Sequence, residues 1–235
     1  LKQHIPNAVT SANLLFGCLS ILSAIQGDLI TASIYIGISA VMDFFDGFVA
    51  RLLHLSGELG KQLDSLADVV SFGVAPGFIF YSIAGKCFAD GFCINQYTFL
   101  LIPIFSAIRL AKFNIDTRQS DSFIGVPTPA NAMFIASLPL ILANDTYGIG
   151  EVIEHRWFVT FFPLLSAYLL VAELPLLALK FKHFKFKGNE ARFILIISCL
   201  LSVLIFKFAG IALSIIIYIL ISAINNVVSK PKLNS

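Results

Sequence analysis

Strongly apolar stretches recur from one end of this chain to the other, and several approach the ~20 residues an α-helix needs to cross a hydrocarbon layer about 30 Å thick. Inside lipid every backbone N–H and C=O must be paired within its own segment, so such stretches fold as helices. The composition agrees. Hydrophobic residues make up 57% and charged residues 13%, against roughly 45–50% and 25% in soluble domains, and the mean hydropathy is +0.87. The expected fold is an all-α integral membrane protein, one membrane domain over residues 1–235 with no separate soluble module. The first apolar stretch is preceded only by residues 1–5 and followed by more of its kind, so a membrane helix is a better reading of it than a cleaved signal peptide.

The apolar pattern predicts about eight transmembrane segments: 6–26, 29–53, 66–84, 97–113, 129–143, 157–179, 193–206 and 209–228. Residues 193–228 would reach about 54 Å as one helix at ~1.5 Å per residue, too long for a single crossing, so they are split near 207–210. Basic residues gather on cytosolic loops. With both termini cytosolic, every Lys and Arg except Lys86, Arg156 and Lys207 falls on the inner side. Residues 29–84 then hold the chemistry, and residues 151–228 are expected to be scaffold and dimer surface.

Against this apolar background four carboxylates are conspicuous: Asp43, Asp46, Asp64 and Asp68. Each bare charge within a membrane helix costs on the order of 2.5–3.5 kcal/mol on insertion scales, so something cationic must offset them. On helices, Asp43 and Asp46 are i, i+3 and Asp64 and Asp68 are i, i+4, so each pair projects from one face. Two helices can thus present four carboxylates to each other. Such hard oxygen donors suit magnesium, manganese or calcium, and four of them suffice for two divalent ions, which can clamp a phosphoryl group in an in-line displacement. Gly47, Gly60 and Ala50 leave room for a ligand or a facing helix. Arg51, always charged and able to bind bidentately, suits a phosphate. Asp46 lies about 10 Å inside its segment's end at ~1.5 Å per residue, near headgroup depth. Together these residues describe a site for a lipid-linked diphosphate and metal.

Other readings fit less of the pattern. Structural ion pairs with Arg51, Lys61 or Arg109, or the carboxylate pathway of an ion-coupled transporter, leave the paired glycines and the Ala-Arg step unexplained. Glu173, beside Pro175, reads as a snorkelling or salt-bridged residue. The basic run at 180–192 fits positive-inside anchoring, and no basic face interleaved with stacking aromatics points to nucleic acid. Cys18 and Cys199 read as small hydrophobes. Cys87 and Cys93 share a loop predicted to be exterior, where both a disulfide and free thiols are permitted.

The acidic pattern, D-x2-D-G-x2-A-R-x8-G-x3-D-x3-D, matches at Asp43, Asp46, Gly47, Ala50, Arg51, Gly60, Asp64 and Asp68. It resembles the signature of the CDP-alcohol phosphatidyltransferase family. Around it, IPNAVTSANLLFG from Ile5, DSLADVVSFGVAP from Asp64, RLAKFN from Arg109 and GVPTPA from Gly125 are similar to the membrane-integral phosphatidylserine synthase branch. Lys112 stands where that branch usually has Arg, and Val126 where Leu is common. From about Glu151 onward no comparably specific motif appears.

The resemblance implies transfer of a phosphatidyl group from CDP-diacylglycerol to L-serine, releasing CMP, at the cytosolic face of the cell (inner) membrane. It implies magnesium or manganese, two ions, on Asp43, Asp46 and Asp64, with Asp68 as general base that also touches an ion. It implies diphosphate on Arg51, with Gly47, Ala50 and Gly60 making room for CDP-diacylglycerol. Thr10 and Asn13 are candidates for nucleotide contacts or, equally, for interhelical hydrogen bonds. Serine's carboxylate needs a cation, and Arg109 is the first choice, then Lys112 and Arg118. A homodimer is expected. Glycerol phosphate and inositol phosphate are the alternative acceptors. The H-x-K-x4-E at His183, Lys185 and Glu190 is close to a phospholipase D-type motif, but it ends in Glu, has no second copy and lies in a Lys-rich loop.

Overall fold

The computed structural model describes residues 4–53, 57–87, 94–116, 122–145, 147–177 and 189–229. Helices α1 (His4–Ile25) and α2 (Leu29–Leu52) form an antiparallel hairpin. Its turn is made by Gly27, at φ 83°, and by Asp28, whose carboxylate accepts the Thr31 N–H at 3.1 Å and so caps α2. Next comes a continuous helical stretch: α3 (Glu58–Asp68), a six-residue π-helical turn (Val69–Val74) and α4 (Ala75–Cys87). In that turn the Ala75 N–H donates to the Val70 carbonyl, five residues back.

This stretch is the axis of the bundle. Phe72, Ile79, Phe80 and Ile83 are fully buried on it, packed with Ile36 of α2, Ile102 of α5 (Leu101–Ile115) and Ile135 of α6 (Thr128–Ala143). A 3₁₀ turn (Ile94–Leu100) leads into α5. A short α7 (Gly150–Ile153) precedes α8 (Arg156–Val171), which is capped by His155, whose ring nitrogen accepts the Trp157 N–H. Helix α9 (Glu190–Ser229) closes the chain.

Five helical stretches are long and apolar enough to cross a membrane: Pro6–Ile25, Leu29–Leu52, Glu58–Gly85, Tyr97–Ile115 and Glu190–Val227. The apolar helices α6 and α8 are shorter. The chain is an integral membrane protein. Its last stretch is not a straight rod, because Lys207 leaves helical geometry (φ 51°, ψ −119°). Ser214 Oγ donates to the Cys199 carbonyl at 3.3 Å and Ser202 Oγ to that of Gly210 at 3.0 Å. Along a straight helix residues 199 and 214 would lie about 22 Å apart at ~1.5 Å per residue, so α9 folds back into two antiparallel arms. Gly210 permits the reversal, since a Cβ there would stand 2.2 Å from the Ser202 carbonyl oxygen.

The structure departs from the sequence reading at two boundaries and in one added element. The third segment begins at Glu58 rather than residue 66, because its first two turns are amphipathic and hydropathy passes over them. The sixth ends at Val171 rather than 179: Pro175 has no N–H and disfavours helix at the residue before it, and Ala172 is already extended. The all-α expectation also misses a small ribbon, in which β1 (Ser122–Ile124) pairs antiparallel with β2 (Pro175–Leu177). The second arm of α9 holds β2. Tyr218 donates its hydroxyl to the Leu177 carbonyl at 3.1 Å, the Leu177 N–H donates to Ser222 Oγ at 3.2 Å, and the Asn226 amide donates to the Pro175 carbonyl. Cys93, His183, Lys185 and most of the basic run lie outside the described residues.

Close approach between α1 and the π turn rests on Gly17, where a Cβ would lie 2.3 Å from Ser71 Oγ and 2.8 Å from Ser71 Cα. Gly17→Ala is therefore expected to cost about 1–3 kcal/mol, as overpacking does, read by thermal unfolding in detergent. Gly37→Ala, at a position with no heavy atom within 4 Å of the added carbon, is the control and should be neutral or slightly stabilising. Equal melting of wild type and Gly17→Ala would refute the contact.

Candidate active site

Helices α2 and α3 bring the aspartates together. One carboxylate oxygen from each of Asp43, Asp64 and Asp68 lies within 4.8 Å of the other two. Asp46, on the same face of α2, falls outside this trio but is only 6% exposed, and Asp68 is 8% exposed. Asp46 Oδ2 and Asp64 Oδ1 are buried without a hydrogen-bond partner. Buried acceptors on clustered carboxylates are costly unless a cation satisfies them. The donor set is all hard oxygen, so the residues fit a magnesium- or manganese-type ion, which Asp43, Asp64 and Asp68 would hold with Asp46 beside them.

Asn13 on α1, fully buried, organises the cluster. Its side-chain Nδ2 donates to Asp68 Oδ1 at 3.3 Å, and its backbone carbonyl accepts the hydroxyls of Ser39 on α2 and Ser71 on the π turn, each at 3.0 Å. One residue thus ties α1 to both helices that carry the acids and to the π turn that follows them. Thr10, one turn earlier, has its hydroxyl 3.1 Å from the Pro6 carbonyl and within reach of Asp46. Having one proton, it can serve only one of them at a time. Asn13 therefore faces the carboxylates as an interhelical partner, with Thr10 near Asp46.

At the outer edge, Arg51 is exposed and donates Nε–H to the Gly47 carbonyl at 2.9 Å. Among the described residues, the Arg51 guanidinium is the side chain that comes within 4 Å of where a Gly47 Cβ would stand, at 3.9 Å. Ala50 is half-buried beside it. Gly60 serves helix proximity: a Cβ there would come 3.4 Å from Asn7 Oδ1.

Arg109, on α5, is 7% exposed. It donates to Thr128 Oγ1 at 3.3 Å, lies over the Phe113 ring at 5.7 Å, and is close enough to Asp68 to feel its charge. Its Nε is buried and unpartnered. The arginine lines an open cleft of about 370 Å³ together with Lys112, Phe113, Asp116, Val171 and Glu173. Arg118 lies outside the described residues.

The sequence is similar to those of known proteins. The CDP-alcohol phosphatidyltransferase family pattern matches residues 3–178. The chain belongs to that family. A CDP-diacylglycerol–serine O-phosphatidyltransferase of Helicobacter pylori is 36% identical over 82% of this chain and 78% of its own, and one of Bacillus subtilis is 33% identical over 80% and 95%. An archaetidylserine synthase of Methanothermobacter thermautotrophicus is 38% identical over 58% of each chain.

Within this phosphatidyltransferase the sequence reading missed several contributors. Ser39 and Ser71 give only a faint signal, as single hydroxyls in apolar runs. The Lys61 ammonium donates to the Asn114 carbonyl at 3.1 Å and the Asn114 amide to Ser65 Oγ at 2.7 Å, fastening α3 to the end of α5. A π turn directly after Asp68 has no sequence signature, although such insertions gather at functional sites.

Manganese binding to the purified protein, followed by electron paramagnetic resonance of the free ion, should weaken tenfold or more in Asp43→Asn and Asp64→Asn. Asp28→Asn, at the other end of α2, should bind as wild type. Unchanged binding in both cluster variants would remove the metal assignment.

Proposed function

We propose that this chain transfers the phosphatidyl group of CDP-diacylglycerol to L-serine, forming phosphatidylserine and releasing CMP. The observation that carries this reading is the family's full acidic signature, folded with three carboxylate oxygens within 4.8 Å beside the buried cation Arg109. Relatives whose names differ in the lipid share serine in those names, which supports serine as acceptor.

The serine hydroxyl is a weak nucleophile until a base takes its proton. Asp68 has that role: Asn13 holds its Oδ1, leaving the other oxygen to receive the proton as serine Oγ bonds to the diacylglycerol-linked phosphorus. The bond from phosphorus to the bridging oxygen breaks, and CMP leaves with the electron pair. When bound, divalent ions supply neutralisation of the diphosphate and of the departing CMP. Arg51, at the exposed edge, contacts the diphosphate. Arg109 binds serine's carboxylate through a planar fork of donors that fixes orientation as well as charge. In this reading eight helical arms cross the membrane, counting α9 twice, and the bias of Lys and Arg along the sequence supports a cytosolic acidic end and cytosolic termini.

CMP release from CDP-diacylglycerol, with L-serine, glycerol phosphate and inositol phosphate offered separately, tests the reading. Serine alone is expected to support turnover, excess chelator to abolish it, and magnesium or manganese to restore it. Turnover with a phosphorylated alcohol and not with serine would overturn the acceptor assignment. Asp68→Asn keeps the shape but not the base, so turnover should fall by roughly 10²-fold or more while CDP-diacylglycerol binding changes little. Arg109→Lys exchanges the fork for a point charge. It should raise the serine KM about tenfold or more and leave CDP-diacylglycerol affinity nearly unchanged. An unaltered serine KM would place the carboxylate's partner elsewhere.

A further inference from the structure

The cleft beside Arg109 carries both signs of charge. Arg109 and Lys112 come from α5, whereas Glu173 comes from the linker between α8 and β2, on the far side of the sequence. Its volume of about 370 Å³ is at the low end of the range for small-molecule sites, about 300–1,000 Å³. Asp116, the other acid on the wall, already engages a neighbour. Glu173 is exposed on the cleft, two residues past the helix end, and the β1–β2 ribbon and the α9 bonds to Leu177 hold that linker in place.

We propose that Glu173 is a specificity-determining residue that receives the ammonium group of the acceptor amino acid, opposite Arg109, which receives its carboxylate. The proposal rests on the serine reading above and names what that reading leaves open. A zwitterion carries its two charges on one carbon, so a wall with a cation on one side and a carboxylate on the other orients it and leaves the side-chain hydroxyl free to turn toward Asp68. The same carboxylate works against the alternative acceptors. A phosphorylated alcohol brings roughly two negative charges and no positive one, and like charge at Glu173 opposes its entry.

The experiment measures CMP release from CDP-diacylglycerol by the full-length protein, with L-serine as substrate and L-glycerate as competitor. Glycerate keeps the carboxylate and the primary hydroxyl and replaces the ammonium by a hydroxyl. In Glu173→Gln the serine KM should rise about fivefold or more, with kcat within about twofold of wild type. The inhibition constant of glycerate should hold or fall. Glu173→Asp should restore most of the serine affinity. A structural role would raise both constants together, and no role would move neither; either result overturns the proposal. If wild type releases no CMP with serine, the parent reading fails. If wild type is active and Glu173→Gln leaves the two constants in their original ratio, only the assignment of Glu173 fails.

Discussion

The repulsion among carboxylates is the constraint around which this bundle is built. At the 4.8 Å limit that bounds the Asp43, Asp64 and Asp68 oxygens, each ionised pair costs about 3.5 kcal/mol at an effective dielectric of ~20. A membrane helix pair would not hold such a trio without counter-charge, and much of the surrounding structure supplies fixed positive ends. Asn13 points an N–H at Asp68, Arg109 lies within its field, and Thr10 reaches Asp46. These donors hold positions but do not neutralise the cluster. The partnerless oxygens of Asp46 and Asp64 mark the remaining deficit, which a divalent ion would meet.

Positioning follows from the way three helices are fastened at a single depth. The Asn13 carbonyl receives one hydroxyl from α2 and one from the π turn, so α1 acts as a rail on which both acid-bearing helices are registered. Gly17, one turn along, lets the π turn come close enough for the Ser71 bond to form. The extra residue in that turn shifts the face of the helix between Asp68 and the apolar core at Phe72 and Ile79. The upper part can then pack as a buried axis while the lower part presents acids. A regular helix would keep both on one unbroken face.

How much of this was legible in the sequence depends on which physical signal each part leaves. The acids announced themselves because charge in an apolar run is expensive, and their i, i+3 and i, i+4 spacing gave their faces directly. The split of the last apolar run was legible from length alone, and the reversal at Lys207 falls where the length argument put it. Asn13 and Thr10 were visible only as polar residues in a helix, which left nucleotide contact and interhelical bonding equally open. The setting of Glu173 was drawn differently. With the helix drawn to residue 179 it looked like a side chain reaching for headgroups, whereas Pro175 ends the helix early and sets the residue in a linker on a cleft wall. The ribbon left no hydropathy signal, since three-residue strands bury too little to impose an alternating pattern.

The family pattern ends at residue 178, one residue past β2, yet the bonds that hold β2 come from Tyr218, Ser222 and Asn226 beyond that limit. The shared part of the chain contains the acidic cluster, Asn13, Arg51 and Arg109. The arms of α9 contribute no carboxylate to the acidic cluster, but they fix the strand that continues the linker bearing Glu173. This divides the labour in a physically sensible way. Displacement at phosphorus demands the same geometry whatever the acceptor, and Asn13 ties α1 to both acid-bearing helices. The proposed ammonium contact, Glu173, stands on a linker continued by a short ribbon whose support comes from a separate hairpin, so its charge can change without disturbing the acids packed on α1.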